Sequence, residues 1–369
     1  MRKYLVTGGA GFIGSSLIRE LLKDKSNNIV MLDAITYSGR RENFSDLTDN
    51  SSFTFIEGNI CDDQFCHQLI LDTKPDGIIN IAAETHVDRS IGSPDVFIQT
   101  NILGTQNLLK IALEHWQTLT SGQQEKFRFV QVSTDEVYGS IDIGEVDEGS
   151  SFRPNSPYAA SKASADLIVR SYNRTYGLPT IVTQGSNTYG PRQFPEKLVP
   201  LIILRALSGL SLPIYGDGKN VREWLHVDDH ARGIYLALLN GLPGHHYNLG
   251  STNRITNTEM VILLIEALKP FIEEKNKDQL INSIEYVPDR PGHDLRYSMN
   301  SQKSRQELGW RVSRGLNDGL LTTVQWYLQN RDWWKPITDN KYSLTRLAPM
   351  ERESFAVLKE QKKRKTYLL

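Results

Sequence analysis

The sequence has little that would tie it to an oxidising compartment, a metal or a membrane. Only two cysteines, Cys61 and Cys66, occur in 369 residues. That is too few for a disulfide framework, and neither has the Cys/His companions of a zinc site. Two ordinary thiols in a reducing compartment are the expectation. Neither sign of charge predominates: 42 Lys and Arg stand against 43 Asp and Glu. A nucleic-acid or anionic-lipid partner therefore has no electrostatic basis. No apolar run approaches the roughly 20 residues of a membrane span. The chain enters an apolar strand at Tyr4-Leu5-Val6, with no room for a signal peptide. The expected location is soluble and cytoplasmic. The length suits one large domain or two moderate ones with a sizeable core.

What is present is a convergence of polar groups. Phe127 to Val132 reads as a buried strand, and Ser133-Thr134-Asp135-Glu136 follows at its end. In an open parallel sheet, ligands bind in the crevice beyond the carboxyl ends of the strands. Some twenty residues on, Tyr158-Ala159-Ala160-Ser161-Lys162 opens a helical pattern that runs to about Tyr176. Positions i and i+4 share a helix face, so Tyr158 and Lys162 point the same way. A hydroxyl, two carboxylates, a phenol and an ammonium are thus candidates for one site.

Upstream, a strand from Lys3 to Thr7 leads into Gly8-Gly9-Ala10-Gly11-Phe12-Ile13-Gly14 and then a helix, Ser15 to Lys23. Glycines allow a tight turn and a close approach to a pyrophosphate, which rests on the helix amino terminus. A second strand, Asn28 to Leu32, ends in Asp33, about twenty residues on, where the ribose 2′-hydroxyl of NAD needs an acceptor. This context selects NAD; Arg40 and Arg41 lie too far along to favour a 2′-phosphate. Two further strands, Phe53–Glu57 and Gly77–Ile81, lead to Asn59-Ile60 and Ala82-Ala83. The small residues leave room for a flat cofactor. His86, beside Asp88 and Arg89, shapes the far end of the pocket. Pro94 to Glu114 reads as a long helix with Asn101 at its centre, and Pro179 to Thr183 as a strand. Trp224 to Leu239 and Asn253 to Ala267 read as helices. Charged residues beyond Pro336, including Lys362-Lys363-Arg364-Lys365, read as a solvated tail. Strands alternating with helices predict an α/β, doubly wound parallel sheet.

Together these motifs resemble the extended short-chain dehydrogenase/reductase family, and within it the nucleotide-sugar 4,6-dehydratases. The glycine turn and Tyr-x-x-x-Lys are shared throughout the family. Thr134-Asp135-Glu136 is more selective, because the family's sugar epimerases usually carry serines or threonines there. The resemblance covers Met1 to about Pro336, including Ala82 to Ser90, Gly216-Asp217-Gly218 and Asp289 to Asp294. It implies a Rossmann-type NAD domain over 1–186 with returns from about 224–250. A smaller, mainly C-terminal α/β domain over 187–336 would bind the nucleotide sugar, with a tail over 337–369.

The resemblance further implies that Gly8, Gly11, Phe12, Ile13, Gly14, Asp33, Asn59, Ile60, Ala82, Ala83, Thr100 and Thr188 line the cofactor with Tyr158 and Lys162. Thr85, Thr134, Asn187, Lys197 and Leu198 would meet the substrate, with Pro213 and Tyr215 near its base. Arg222 and Arg290 would meet its diphosphate, with Asn257 and His293 close by. The implied substrate is dTDP-glucose, and the alternatives are a UDP-sugar 4,6-dehydratase or a 4-epimerase or decarboxylase on the same scaffold. A homodimer built on Pro94–Glu114 and Tyr158–Tyr176 is implied as well. The sequence departs from the family pattern at Asn59, which replaces an aspartate. It departs again at Gln184, Gly185 and Thr188, where Arg-Cys-Ser-Asn-Asn-Tyr is usual.

The implied chemistry explains the cluster. The C5 proton of a glucose unit is scarcely acidic until C4 is oxidised to a ketone. Tyr158 would take the C4 hydroxyl proton, Lys162 and the cationic nicotinamide ring favouring its phenolate, and Thr134 would hold the C4 oxygen. Glu136 would then remove the C5 proton while Asp135 protonates the departing C6 hydroxyl. Those two roles need unlike protonation states.

Overall fold

The computed structural model describes residues 1–273, 279–340 and 342–345. Its centre is a seven-stranded sheet formed by β1 (Arg2–Thr7), β2 (Asn27–Asp33), β3 (Phe53–Glu57), β4 (Gly77–Asn80), β5 (Arg128–Thr134), β6 (Thr180–Gly185) and β10 (His246–Leu249). The order is β10-β6-β5-β4-β1-β2-β3, and every neighbouring pair is parallel. The chain order reverses between β1 and β4. That reversal opens the crevice in which such sheets bind ligands.

The strands read as near-continuous apolar runs because both faces are covered. Alternation divides them between two cores. Tyr4, Val6, Ile29, Met31, Ile79, Val130 and Val132 pack on one face, together with residues of the helices Phe12–Leu22 and Val227–Asn240. Leu5, Val30, Leu32, Ile78, Phe129 and Val182 pack on the other. There they meet the helices Asp63–Thr73, Thr105–Thr118 and Pro157–Tyr176. At about 1.5–3 kcal/mol for each buried large aliphatic or aromatic side chain, this two-sided burial dominates the stability of the sheet.

A second region holds β7 (Asn187–Tyr189), β9 (Val221–His226) and β11 (Arg254–Thr256) as a three-stranded sheet. Beside it β8 (Leu212–Tyr215) pairs with β12 (Ile284–Val287). The helices Leu198–Leu207, Asn257–Leu268 and Leu316–Gln329 close their own core over it.

Several expected elements differ in detail. Trp224 to Leu239 is not one helix: Val221–His226 is a strand, and the helix begins at Val227. Trp224 and Leu225 are buried there, and the strand pairs with both β7 and β11, so tertiary pairing outweighs the helical reading. Likewise Arg254–Thr256 is a strand. The helix after it starts at Asn257, behind a capping box of Thr256 and Glu259. The stretch from Pro94 is helical but interrupted by a π-helical segment, Ile98–Gly104. β10 was not foreseen. Past Pro336 the helix Arg331–Asn340 continues, and Ile337, Tyr342 and Leu344 are buried. Packed structure therefore extends beyond the expected boundary, while Lys362 to Lys365 lie outside the described residues.

Candidate active site

A cavity of about 470 Å³ lies at the carboxyl ends of the strands, between the large sheet and the second region. Each residue assigned above to the cofactor, the chemistry or the substrate borders it. One end is walled by Gly8, Gly11, Phe12, Ile13, Gly14, Asp33, Asn59, Ile60, Ala82, Ala83 and Thr100. Thr134, Asp135, Glu136, Tyr158, Lys162 and Thr188 surround the middle. Thr85, Asn187, Lys197, Leu198, Pro213, Tyr215, Arg222, Asn257, Arg290 and His293 line the other end.

The first end is shaped for a dinucleotide. Gly8 has φ +72°, and a side chain on Gly14 would run into the Gly8 carbonyl oxygen. Only glycine suits either place. Gly11 caps the helix Phe12–Leu22 without any side-chain hydrogen bond, so the first N–H groups of the helix are left for a bound anion. Asp33 accepts from the N–H groups of Ala10 (2.9 Å) and Ile35 (2.8 Å), which fixes its carboxylate at the tip of β2. Burial pushes its pKa up, and each oxygen keeps a lone pair for a ribose hydroxyl. Arg40 instead pairs with Glu42 and donates to the Trp333 carbonyl, while Arg41 pairs with Glu57. Neither borders the cavity. The residues therefore fit NAD rather than its 2′-phosphorylated form. Asn59 uses its amide oxygen to accept from the Cys61 N–H, at 2.9 Å.

The middle of the cavity is built by two elements. The helix Pro157–Tyr176 starts cleanly, with Pro157 in its first turn and the Ser156 hydroxyl accepting from the Ala159 N–H. Tyr158 and Lys162 then sit one turn apart on one face. Lys162 Nζ donates to the Val132 carbonyl of β5, at 2.7 Å. Asn101 lies within the π-helical segment, donates to Ser161 Oγ at 2.8 Å, and accepts from the Glu84 N–H at 2.8 Å. π-Helical turns of this sort often accompany functional sites. Here the turn lets one amide hold the catalytic helix and the loop after β4 together. From the tip of β5, Asp135–Tyr138 forms a 3₁₀ turn. Thr134 Oγ1 donates to Asp135 at 3.2 Å and accepts from the Glu136 N–H at 3.3 Å.

Burial raises the pKa of both carboxylates, but their charged neighbours differ. Asp135 is 3% exposed. Burial first, then the charges of Glu136 and Glu223, drive its pKa well above the usual carboxylate range. Its Oδ2 has no hydrogen-bond partner. Burial also raises the Glu136 pKa, but Arg290, Lys197 and Arg222 pull it back. Asp135 is thus the member held protonated, and Glu136 the one helped to ionise. The expectation that Lys162 favours the Tyr158 phenolate is not met by the protein alone. Burial and the Glu136 charge push the Tyr158 pKa up, opposed by hydrogen bonds from Thr85 and Thr134. The Lys162 ammonium faces Val132 and Asp166 instead.

At the far end, Lys197 Nζ reaches Thr85 Oγ1 at 3.4 Å. Asp88 accepts from Arg290 (3.3 Å) and from the Tyr215 hydroxyl (3.1 Å). Arg222 donates to the backbone carbonyls of Val221 and Asp294 and lies 4.4 Å over the Tyr297 ring. His293 is held by Asp289, and burial keeps its imidazole well below its ordinary pKa. His86, at φ +83°, is kept neutral by burial and then by Lys197, Arg290 and Arg89. It lines the pocket and lacks the setting of a base.

Sequence reasoning missed Glu196. Its buried carboxylate pairs with Arg89 at 2.8 Å and accepts from the Tyr37 hydroxyl at 3.0 Å, while the Arg89 guanidinium covers the Tyr37 ring at 3.9 Å. This group joins two loops and the short helix Val87–Gly92 from distant parts of the chain. Only the buried acid inside Phe194-Pro195-Glu196-Lys197 could have signalled it.

Sheet order, glycine turn and the Tyr158/Lys162 pair together define an extended short-chain dehydrogenase/reductase. The finer assignment comes from comparison. A family model described as GDP-mannose 4,6 dehydratase matches residues 5–323. A dTDP-glucose 4,6-dehydratase of Neisseria meningitidis is 47% identical over 353 residues, covering 94% of this chain and 99% of the relative. An enzyme of the same name from Escherichia coli K12 is 43% identical, with coverages of 92% and 96%. The crystal structure of DesIV, a dTDP-glucose 4,6-dehydratase of Streptomyces venezuelae with NAD bound, superposes with a TM-score of 0.83. It shares 45% identity over 91% of this chain and 99% of the DesIV chain. A UDP-glucose 4-epimerase from Thermotoga maritima also superposes, with a TM-score of 0.78, 28% identity and coverages of 89% and 99%. The chain belongs to the nucleotide-sugar 4,6-dehydratases and, within them, to the dTDP-glucose 4,6-dehydratase family.

Proposed function

We propose that this chain is a hydro-lyase that converts dTDP-glucose to its 4-keto-6-deoxy form with tightly bound NAD. The observation that carries the reading is the pair Asp135 and Glu136, adjacent at the tip of β5 and facing one cavity, both raised by burial but with three cations offsetting the rise at Glu136. Epimerisation at C4 needs Tyr158 and a cofactor but no such pair.

Residues 1–186, with the returns over 224–250, hold NAD, and residues 187–336 hold most of the nucleotide sugar. Gly8, Gly11, Gly14 and Asp33 seat the cofactor, with Lys162 at the nicotinamide ribose. Bound there, NAD supplies the hydride chemistry, taking a hydride from C4 and giving it back at C6. Tyr158 takes the proton of the C4 hydroxyl, and Thr134 holds that oxygen. The high pKa of Tyr158 in the protein alone makes the positive charge of the ring beside it the main aid to ionisation. Glu136 removes the C5 proton and later restores one there. Asp135, protonated, gives its proton to the C6 hydroxyl as water leaves, and the proton Tyr158 has taken balances that loss. Positioned acids and bases of this kind each contribute about 10²- to 10⁴-fold. Arg222, Arg290 and Lys197 meet the diphosphate, and Tyr215 with Pro213 meets the base. Because the same three cations ease Glu136 ionisation, substrate binding and base strength are linked.

A homodimer completes the proposal. Val96, Ile98 and Leu103 from the stretch after Pro94, and Leu167 from the helix Pro157–Tyr176, are large apolar side chains left exposed on two elements that pack together. A second copy of the chain is their natural cover. No helix of the described residues is long and apolar enough to cross a membrane, and a cytoplasmic setting goes with the two free thiols, Cys61 and Cys66.

The test is turnover of dTDP-glucose against UDP-glucose in deuterated water. A product 18 mass units lighter than the substrate before exchange, absorbing in alkali and carrying deuterium at C5, supports the reading. A 4-epimer with no loss of water overturns it. Faster turnover of UDP-glucose keeps the reaction but reassigns the nucleotide. The two nucleotides differ by the thymine methyl and by the ribose 2′-hydroxyl, and a methyl group is worth only about 1–3 kcal/mol.

A further inference from the structure

One buried carboxylate is not used by the mechanism above. Asp166 lies on the helix Pro157–Tyr176, one turn beyond Lys162, and is wholly buried. Its Oδ2 accepts from Ser133 Oγ at 2.6 Å, and the Gln184 side chain also favours its charged form. Ser133 is the residue of β5 immediately before Thr134, and Lys162 donates to Val132 immediately before that. Two side-chain links therefore tie the helix that carries Tyr158 to the strand that carries Thr134, Asp135 and Glu136. One runs from Lys162 to Val132, and the other from Ser133 to Asp166.

The charges around this link are few. Lys162 is 4% exposed, and among the described residues Asp166 is the one charged group whose influence on it is resolved. Facing Asp166 are Lys162 from its own helix, Ser133 from β5 and Gln184 from β6. The Tyr138 phenol, in the turn after β5, also feels its charge. Beyond Gln184 stands His246, which burial and nearby cations keep neutral. An ammonium this deeply enclosed, offered only a backbone carbonyl, would shed its proton without a counter-charge.

We propose that Asp166 is a positioning residue, the counter-ion that keeps Lys162 charged and directed at the cofactor ribose while Ser133 fixes Asp166 to the catalytic strand. The proposal rests on the assignment of Lys162 to the cofactor. Burial lowers Lys162 to about 8 even with Asp166 beside it, and raises Asp166 to about 7. The pair therefore has little margin, and removing either charge tips the other toward neutrality.

The test reads cofactor retention and needs no turnover. The holoenzyme is mixed with excess radiolabelled NAD, and exchange of bound NAD is followed from pH 5.5 to 9. In the parent protein, exchange is expected to quicken on the alkaline side, as Lys162 loses its proton. In Asp166→Asn that rise should move down by about 1–3 pH units, the usual reach of an opposite charge on a pKa. Exchange at pH 7.5 should then be faster by up to about fourfold, because with Lys162 at about 8 roughly a quarter of the parent has already lost that proton. Asp166→Glu should restore part of the shift. Ser133→Ala, which removes one hydrogen bond and little volume, should shift the rise in the same direction by less, and it serves if Asp166→Asn does not fold. Exchange that quickens equally at every pH, or an unmoved profile in both variants, overturns the proposal. Because exchange is read without substrate, a failure of dTDP-glucose turnover leaves this result interpretable.

Discussion

Replacing Asp135 with asparagine should stabilise the protein while disabling it. The buried Asp135 carboxyl is raised well above its usual range by burial and by Glu136 and Glu223, so it folds protonated from a chain in which it is ionised. A group raised on folding contributes fully below its unfolded pKa, about 3.9 for aspartate. That contribution is lost as the pH rises toward the folded value. Each pH unit in that window costs about 1.4 kcal/mol, so between pH 3.9 and pH 7 the loss can reach about 4 kcal/mol. Asparagine has nearly the same shape and no charge to lose. The gain from Asp135→Asn should therefore be close to zero near pH 4, grow with pH, and lie between about 1 and 4 kcal/mol at pH 7. Urea unfolding of both proteins at pH 4, 5.5 and 7, at one fixed concentration of free NAD, measures this directly. Dehydration should meanwhile fall by about 10²- to 10⁴-fold with the loss of the acid. A variant less stable at pH 7, or a gain that does not change with pH, would refute the argument that Asp135 is held protonated by its surroundings.

Other outcomes follow from the same geometry. Glu136→Gln should slow product formation by about 10²- to 10⁴-fold and abolish deuterium uptake at C5, while C4 oxidation, seen as reduced-cofactor absorbance, persists; intact C5 exchange would remove Glu136 as the base. Gly14→Ala should yield protein with little or no bound NAD, because the new methyl group meets the Gly8 carbonyl oxygen; NAD retained after gel filtration would contradict the placement. Leu167→Glu combined with Ile98→Asp should halve the mass measured by light scattering if those exposed apolar residues meet a second copy, and an unchanged mass would exclude this face.

Much of the cofactor end was legible because its signals are local. Gly8 to Gly14, then Asp33, lie on one strand-turn-helix-strand unit, and local backbone needs dictate those residue types. The Tyr158/Lys162 spacing was equally readable, since one helical turn sets it. What escaped detection depends on distant partners. Trp224 to His226 looked helical with the residues after them, until pairing with β7 and β11 made them part of a strand. β10 has only four residues and owes its place to β6. Glu196 acquires meaning only when Arg89 and Tyr37 arrive from segments more than a hundred residues away. The setting of Lys162 was hidden for a similar reason: sequence places it beside Tyr158, but shows neither the Val132 carbonyl nor Asp166, which the ammonium also faces.

The knot of Tyr37, Arg89 and Glu196 bears on what becomes of a half-finished sugar. A conversion that passes through a ketone and an alkene before completion would leak damaged intermediates from an open trough. Here three segments beside the cavity are cross-braced by a salt bridge whose Glu196 carboxylate is buried while Arg89 stays about one-third exposed, and such a brace would gain strength as a closing site excludes water. Departure before the final hydride would require those segments to part. Through Glu196 the brace thus anchors one wall of the cavity to two distant parts of the chain, the arrangement such retention would need.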